Sequence, residues 1–560
     1  MAGACSARHA STRTPRLGIG VLGALVVVSM GFEVHVETSF GSLIGEHEAF
    51  SGCDRWLGVP FAEPPIGSLR FEPPKSWQQP FPPQGRRAVS PGSMCVQHGL
   101  DAGDAPAGRE DCLYLNIWRP YDVEPTAKLA VMFWVHGGGF IAGSGLTLPP
   151  LRNNIYDGCK LASEQQVVVV SINYRLGPFG FSAFQDTGGD VRSNFGMLDQ
   201  REALRWVGMQ ISSFGGDPEK ITMFGESAGG VSTLHHAVSP QSRGLFRAGI
   251  SESGFPDALQ VADAISYTTR MAEKSGCVDV STQLACLRGK SAEDVMSAAD
   301  DAMLNMIAVQ NFRLGPVIDG VELLDHPLTL WKQGKSHVAA LMAGTNTDEG
   351  AIWAGYGPNT TAKSITDFDD WLKTAFARPP LKLTPSDLQS VRNMYPAVGP
   401  DNRSVISQVI TDFMFLCGTQ FAMRAQSQLT DAFVYRFNRR ANCPILAPDI
   451  PGVFHEMELP YVFGDAVGFG CVPDDEDKNL SKRMMRAWGD FAKFLDPSRA
   501  NPGSFPKYNA DSQQNVILTA PADTVEANYR LEFCKLWEDV LFSKLMAPPG
   551  TWRRLSEIII

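Results

Sequence analysis

The segment Ile221-Thr-Met-Phe-Gly-Glu-Ser-Ala-Gly-Gly230 holds the residue types that covalent catalysis needs. A short apolar run leads into Gly225-Glu-Ser-Ala-Gly229, and a helical stretch follows. Gly-x-Ser-x-Gly between a strand and a helix is a nucleophile elbow, which lifts the serine hydroxyl above the sheet. The turn is so sharp that Ser227 must adopt a strained backbone, and the residues two positions away on each side must be glycine. The alternative, a glycine-rich turn with an incidental serine, lacks the flanking strand and helix as a reason.

A serine that attacks a carbonyl builds negative charge on the carbonyl oxygen, and backbone N–H groups aimed at that oxygen stabilise it. The elbow provides one such donor, Ala228. The others require a loop whose backbone is not screened by side chains. His136-Gly-Gly-Gly-Phe140, directly after the apolar run ending at Val135, is such a loop.

The serine also needs a base, and the base an acid. In chains with this elbow the order is Ser, then Asp or Glu, then His. Five histidines follow Ser227. His235 and His236 sit on the helix leaving the elbow, too close in sequence to fold back over it. His326 and His337 lie upstream of the next strong strand. His455, in Pro451-Gly-Val-Phe-His-Glu-Met-Glu458, lies far enough along to serve as base. The acid should end a strand between them. Ala339 to Ala343 leads into Gly344-Thr-Asn-Thr-Asp-Glu-Gly350, where Asp348 and Glu349 both qualify, and spacing does not choose.

These groups need a scaffold. Apolar runs recur at Leu129 to Val135, Val167 to Asn173, Ile221 to Phe224, Ala248 to Ser251, Ala339 to Ala343 and Ala432 to Phe437. Such runs mark strands covered on both faces. Helical stretches such as Asp199 to Ser212 and Met484 to Leu495 lie between them. The alternation indicates an α/β fold with a mostly parallel sheet. Phe71 to Asp111 and Ala354 to Asp401 read as irregular surface insertions rich in Pro and Gly.

The chain has 560 residues, of which 44% are hydrophobic, enough for a large core. Its net charge of −11 argues against a nucleic-acid partner, which needs a basic face. Arg8, Arg13 and Arg16 precede an uncharged run from Leu17 to Phe32. This is the pattern of a signal peptide over residues 1–31, with Ser29 and Gly31 as the small residues before cleavage. An uncleaved membrane anchor is the rival reading, but the run is shorter than the ~20 residues a spanning helix needs. Cys5 lies in the leader and ten of the eleven cysteines remain, an even number suited to an oxidising compartment. Sequons at Asn359, Asn402 and Asn479 agree with export to the secretory pathway. Residues 32–545 read as a single domain and 546–560 as a tail.

Several segments resemble the type-B carboxylesterase/lipase family, which includes the cholinesterases. They are Phe61-Ala-Glu-Pro-Pro-Ile-Gly67, Glu110-Asp-Cys-Leu-Tyr-Leu-Asn116, Phe214-Gly-Gly-Asp-Pro218, the elbow, and Gly464 after Tyr461-Val-Phe. The resemblance covers nearly all of the chain after the leader. It implies the α/β-hydrolase fold, a large mostly parallel central sheet flanked by helices, and hydrolysis of small-molecule carboxylic esters without a cofactor or metal. It implies Glu349 as the acid, Gly138 and Gly139 as oxyanion donors beside Ala228, and supporting roles for Glu226 and Ser253. It further implies the disulfides Cys95–Cys112, Cys277–Cys286 and Cys417–Cys534. Cys53, Cys159, Cys443 and Cys471 fall outside the family's usual set, and a Cys443–Cys471 bridge would bracket the His455 loop. Two rivals follow. A lipase would want a large mobile apolar flap, whereas Val96 to Asp111 is short and polar. A non-catalytic adhesion member would lack the nucleophile.

Overall fold

The structure is a computed structural model that describes residues 15–22, 25–98, 106–147, 154–185, 189–303, 314–356, 361–377, 382–443 and 449–546. Arg8 and Arg13 of the expected leader, the sequon at Asn359, the middle of the 96–111 segment and nearly all of the tail lie outside them.

A fourteen-stranded sheet runs through the molecule. Its centre is a parallel block in the spatial order Val168–Ile172, Leu129–Val135, Gly216–Glu226, Ala248–Glu252, Ala340–Asn346, Asp431–Phe437 and Gln514–Leu518. Antiparallel strands flank it on both sides, including Pro15–Leu22 paired with Leu25–Thr38 at one edge. The expected cleavage point after Gly31 falls within that second strand.

The apolar runs are apolar throughout because both faces of the sheet are covered. Along Leu129–Val135, Val131, Phe133 and Val135 enter the core on one face, and Ala130, Met132 and Trp134 enter the core on the other. The strand period of two makes this division. The helices Phe195–Gln210 and Asp475–Phe494 overlap the two helical stretches anticipated from sequence, starting earlier and ending one or two residues sooner.

The 354–401 segment is more ordered than its composition suggests. It contains the helices Ile365–Phe376 and Pro385–Met394. Each opens on a capping box, Ser364 with Asp367 and Thr384 with Asp387, which satisfies otherwise unpaired backbone donors. These helices and the continuous helical stretch Arg403–Gln426 enclose a third core around Phe413 and Trp537. That stretch is apolar enough to cross a membrane, yet it is buried in the protein.

Among the described residues, five disulfides join Cys53–Cys159, Cys95–Cys112, Cys277–Cys286, Cys417–Cys534 and Cys443–Cys471. Asn402 is fully buried, and its side chain bonds Val398, Lys363 and Gly399, so a glycan there would displace these contacts. Asn479 is exposed.

Candidate active site

The central strands of the parallel block all end at one place. Gly225 pairs with Val135, Glu226 with Glu252, and Glu252 with Gly344. The residues just beyond these ends are the ones the sequence singled out.

The strand Gly216–Glu226 stops at Ser227, which has φ 55° and ψ −119°, and the helix Ala228–Val238 begins at the next residue. The glycines make this turn possible. A Cβ on Gly225 would lie 2.5 Å from the Val135 carbonyl oxygen, and one on Gly229 only 1.9 Å from it. Neither distance is sterically allowed, so the elbow admits no side chain at either position. The Ser227 amide donates to the Glu252 carbonyl at 2.9 Å, which ties the nucleophile turn to the neighbouring strand.

The Gly-rich loop leaves the strand Leu129–Val135. Gly138 and Gly139 have φ of 98° and 60°, where a Cβ would be strained. The loop is anchored at its root. Tyr174 donates its hydroxyl to the His136 carbonyl at 2.9 Å, and the two rings stack at 4.4 Å. Burial lowers the His136 pKa to about 4, so this ring is neutral at neutral pH. At the far end, the Gln97 amide bonds both the N–H and the C=O of Gly143. Gln97 lies two residues from Cys95, so the Cys95–Cys112 disulfide braces the loop.

Glu349 follows the strand Ala340–Asn346 and is fully buried. Its Oε2 lies 2.6 Å from His455 Nδ1. Its Oε1 accepts from the Ser253 hydroxyl at 2.5 Å and from the Asn346 amide at 2.7 Å. With the carboxylate as acceptor, the imidazole proton sits on Nδ1 and the basic nitrogen is Nε2. Asp348 faces elsewhere: its carboxylate accepts from the Val453 amide at 2.9 Å. The two candidates left open by spacing are therefore separated by what they touch.

The remaining histidines are engaged apart from Ser227. His236 bonds Ser242 and Gln200, His326 bonds Asp257, and His337 bonds the His236 carbonyl. His235 is fully buried in the helix beyond the elbow.

Ser227, His455, Gly138, Gly139 and Ala228 line one cavity of about 240 Å³, whose remaining walls are largely apolar. The continuous helical stretch through 403–426 widens to a π-helix over Thr411–Leu416, and this segment turns Phe413, Met414 and Phe415 into the cavity. Phe415 and Trp353 stack near-parallel at 5.6 Å, and their centroids lie 4.8 and 5.1 Å from the His455 ring.

The electrostatics are dominated by buried carboxyls. Burial works against a charge on His455, but the charge and hydrogen bond of the adjacent Glu349, with Glu456 and Glu458 adding to them, raise the pKa above the ordinary imidazole value. Glu458 is pushed up to about 7 by burial and then by the Glu349 charge. Burial raises Glu226 well above the ordinary carboxyl range, with neighbouring glutamates adding to it. Glu456, beside the catalytic candidates at φ 74°, is raised by burial as well. Sequence reasoning missed Glu456, Glu458 and Asn346. The first two were visible only as acidic neighbours of His455, and Asn346 only as a polar residue ending a strand.

The carboxylesterase family model matches residues 33–537. The para-nitrobenzyl esterase of Bacillus subtilis (strain 168) is 34% identical over 499 residues, covering 86% of this chain and 94% of that protein. The acetylcholinesterase of Danio rerio is 31% identical over 549 residues, covering 87% and 84%. A solved PNB esterase structure superposes with a TM-score of 0.74 at 32% identity, covering 90% of this chain and 99% of that one.

Proposed function

The chain belongs to the carboxylesterase family, has its α/β-hydrolase fold and is a serine carboxylic ester hydrolase, and from that premise we propose that its triad is Ser227, His455 and Glu349. One observation carries the assignment. His455 Nδ1 is taken by Glu349 at 2.6 Å, while Nε2 has no hydrogen-bond partner among the described residues and the ring lies on the wall of the cavity that Ser227 lines.

His455 Nε2 removes the Ser227 proton as the serine oxygen attacks the ester carbonyl. Negative charge then develops on the carbonyl oxygen, where the N–H groups of Gly138, Gly139 and Ala228 receive it; such a donor typically contributes about 3 kcal/mol to the barrier reduction. The imidazolium that forms is stabilised by Glu349, and it hands its proton to the departing alcohol. Water repeats the sequence on the acyl-enzyme and frees the acid. Glu349 is itself held by Ser253 and Asn346, so its approach to Nδ1 is fixed before substrate binds.

A cavity of this volume with apolar walls suits neutral esters of short to medium acyl chain. Five disulfides favour maturation in the secretory pathway, with the leader of residues 1–31 removed. The test is covalent. A fluorophosphonate probe should label Ser227, and Ser227→Ala should lose both labelling and nearly all turnover while keeping its melting transition. Near wild-type hydrolysis by Ser227→Ala would overturn the assignment.

A further inference from the structure

Three donor groups converge at the edge of the catalytic cavity, where His455 and Glu456 line it and Glu226 lies behind them. A nitrogen of His455, a carboxylate oxygen of Glu226 and one of Glu456 lie within 4.8 Å of one another. Glu226 is fully buried, and neither of its carboxylate oxygens has a hydrogen-bond partner among the described residues. His455 Nε2 is likewise unpartnered. The Glu226 Oε1–His455 Nε2 separation is 3.0 Å, yet the alignment is not that of a hydrogen bond.

Buried polar atoms without a hydrogen-bond partner call for an explanation, and a bound cation would satisfy both the Glu226 oxygens and the His455 nitrogen at once. Two ligands of one tetrahedral ion, each at about 2.0–2.2 Å, stand roughly 3.3–3.5 Å apart. The Glu226–His455 pair needs only a small relaxation to meet that spacing. Glu456 supplies the third donor from the cavity wall. It does so at φ 74°, a conformation that costs a non-glycine residue about 1 kcal/mol or more and that persists where surrounding structure imposes it. The loop that precedes it is pinned to Asp348 through Val453. One imidazole nitrogen with two carboxylates is a donor set suited to zinc-like divalent ions, and it leaves a fourth position open to the cavity.

We propose that Glu226, His455 and Glu456 form a binding site for a divalent transition cation of the zinc class, and that its occupancy reversibly switches the esterase off. A cation on Nε2 takes the lone pair that must accept the Ser227 proton, so hydrolysis stops while the fold and cavity remain. This consequence rests on His455 being the base; the binding itself does not.

The experiment uses untagged, metal-free full-length protein. Zn²⁺ is titrated against hydrolysis of a neutral butyrate ester, and Co²⁺ binding is read separately from its visible absorption. Expected results are one Co²⁺ per chain with the intense bands of tetrahedral coordination, inhibition by Zn²⁺ that a chelator reverses, and Zn²⁺ protection of Ser227 from the fluorophosphonate probe. Glu456→Gln and Glu456→Gly should each weaken Zn²⁺ inhibition by at least tenfold, judged against their own metal-free rates, and lose the tetrahedral Co²⁺ bands. Glycine adopts φ 74° freely, so the second variant keeps the loop geometry. Ser227→Ala retains all three donors and should bind Co²⁺ like the wild type. Unchanged Zn²⁺ sensitivity in both Glu456 variants, or no Co²⁺ binding by active wild-type protein, overturns the proposal. Continued turnover by Ser227→Ala with Co²⁺ binding intact would instead overturn the triad.

Discussion

Asp348 and Val453 hold each other reciprocally: the Asp348 amide donates to the Val453 carbonyl at 2.9 Å, and the Val453 amide donates to the Asp348 carboxylate at 2.9 Å. The next residue on one side is Glu349, and two residues beyond the other is His455, themselves 2.6 Å apart. Adjacent carboxylates therefore divide one task. Asp348 fixes the backbone that carries the histidine, and Glu349 fixes the ring.

That division predicts unequal mutational costs. Glu349→Gln should lower kcat/KM by roughly a thousandfold or more, since it removes the charge that stabilises the imidazolium and disturbs the tautomer. Asp348→Asn keeps an acceptor oxygen for Val453 and should cost less than tenfold. Asp348→Ala leaves that amide unmet and should cost about 1–3 kcal/mol of stability. Steady-state kinetics on a neutral ester and chemical denaturation measure the two effects. The reverse ranking of the Glu349 and Asp348 variants would show the roles exchanged.

The pH profile follows from the same contact. Only neutral His455 can accept the Ser227 proton; burial lowers its pKa, but the Glu349 charge and hydrogen bond, with Glu456 and Glu458 adding to them, raise it above the ordinary imidazole value. kcat/KM should therefore climb with pH along a limb centred above about 6.5. In Glu349→Gln the burial effect remains and the raising charge is gone, so the limb should move to lower pH. Glu458→Gln, which removes a weaker and more distant influence, should shift the limb less. A limb that stays in place in Glu349→Gln would contradict the pairing.

The Cys443–Cys471 disulfide closes a segment of sequence separation 28 that contains His455. Replacing both cysteines by serine should destabilise the protein by about 3 kcal/mol through regained unfolded-state entropy. Because the closed segment carries the base and not the oxyanion loop, kcat should fall several-fold with KM little changed. Peptide mapping without reductant, denaturation and kinetics test these points. An unchanged midpoint in the double variant would argue that the bridge does not constrain the loop.

What could be read from the residues alone was local. At the elbow, steric crowding around Val135 dictates glycine at 225 and 229, so composition reports conformation directly. The six apolar runs also became parallel strands, because burial on both faces leaves an unbroken pattern. Choosing between Asp348 and Glu349 needed contacts more than a hundred residues away, which spacing does not encode; only the family resemblance pointed to Glu349. The pairing of Cys53 with Cys159 was hidden for the same reason. The helices at Ile365–Phe376 and Pro385–Met394 were obscured by nearby Pro and Gly, although their capping boxes stood in the sequence. The sequon at Asn402 carried no sign that folding would bury its side chain.

The last prediction concerns the alcohol half of the substrate. The chain is 31% identical to an acetylcholinesterase, yet a quaternary ammonium needs aromatic faces open to it, worth up to about 2 kcal/mol when desolvated. The 96–111 segment contains no Trp, Tyr or Phe. Trp353 reaches the cavity with Phe140, Phe255, Phe413 and Phe415, but one face of it stacks on Phe415 and both rings pack beside His455, so Trp353 and Phe415 serve chiefly as a wall for the base. The carboxyls of fully buried Glu226 and partly buried Glu456 do not offset this loss, because desolvation raises both pKa values and favours their neutral forms. A butyryl choline ester should therefore exceed a neutral butyrate ester of similar size by less than tenfold in kcat/KM, or about 1.4 kcal/mol. Trp353→Ala should lower kcat/KM for both esters by similar factors, since the loss acts through His455 and not through cation recognition. A choline preference above tenfold that Trp353→Ala abolishes, together with micromolar inhibition by a quaternary ammonium, would show that Trp353 presents a free face after all.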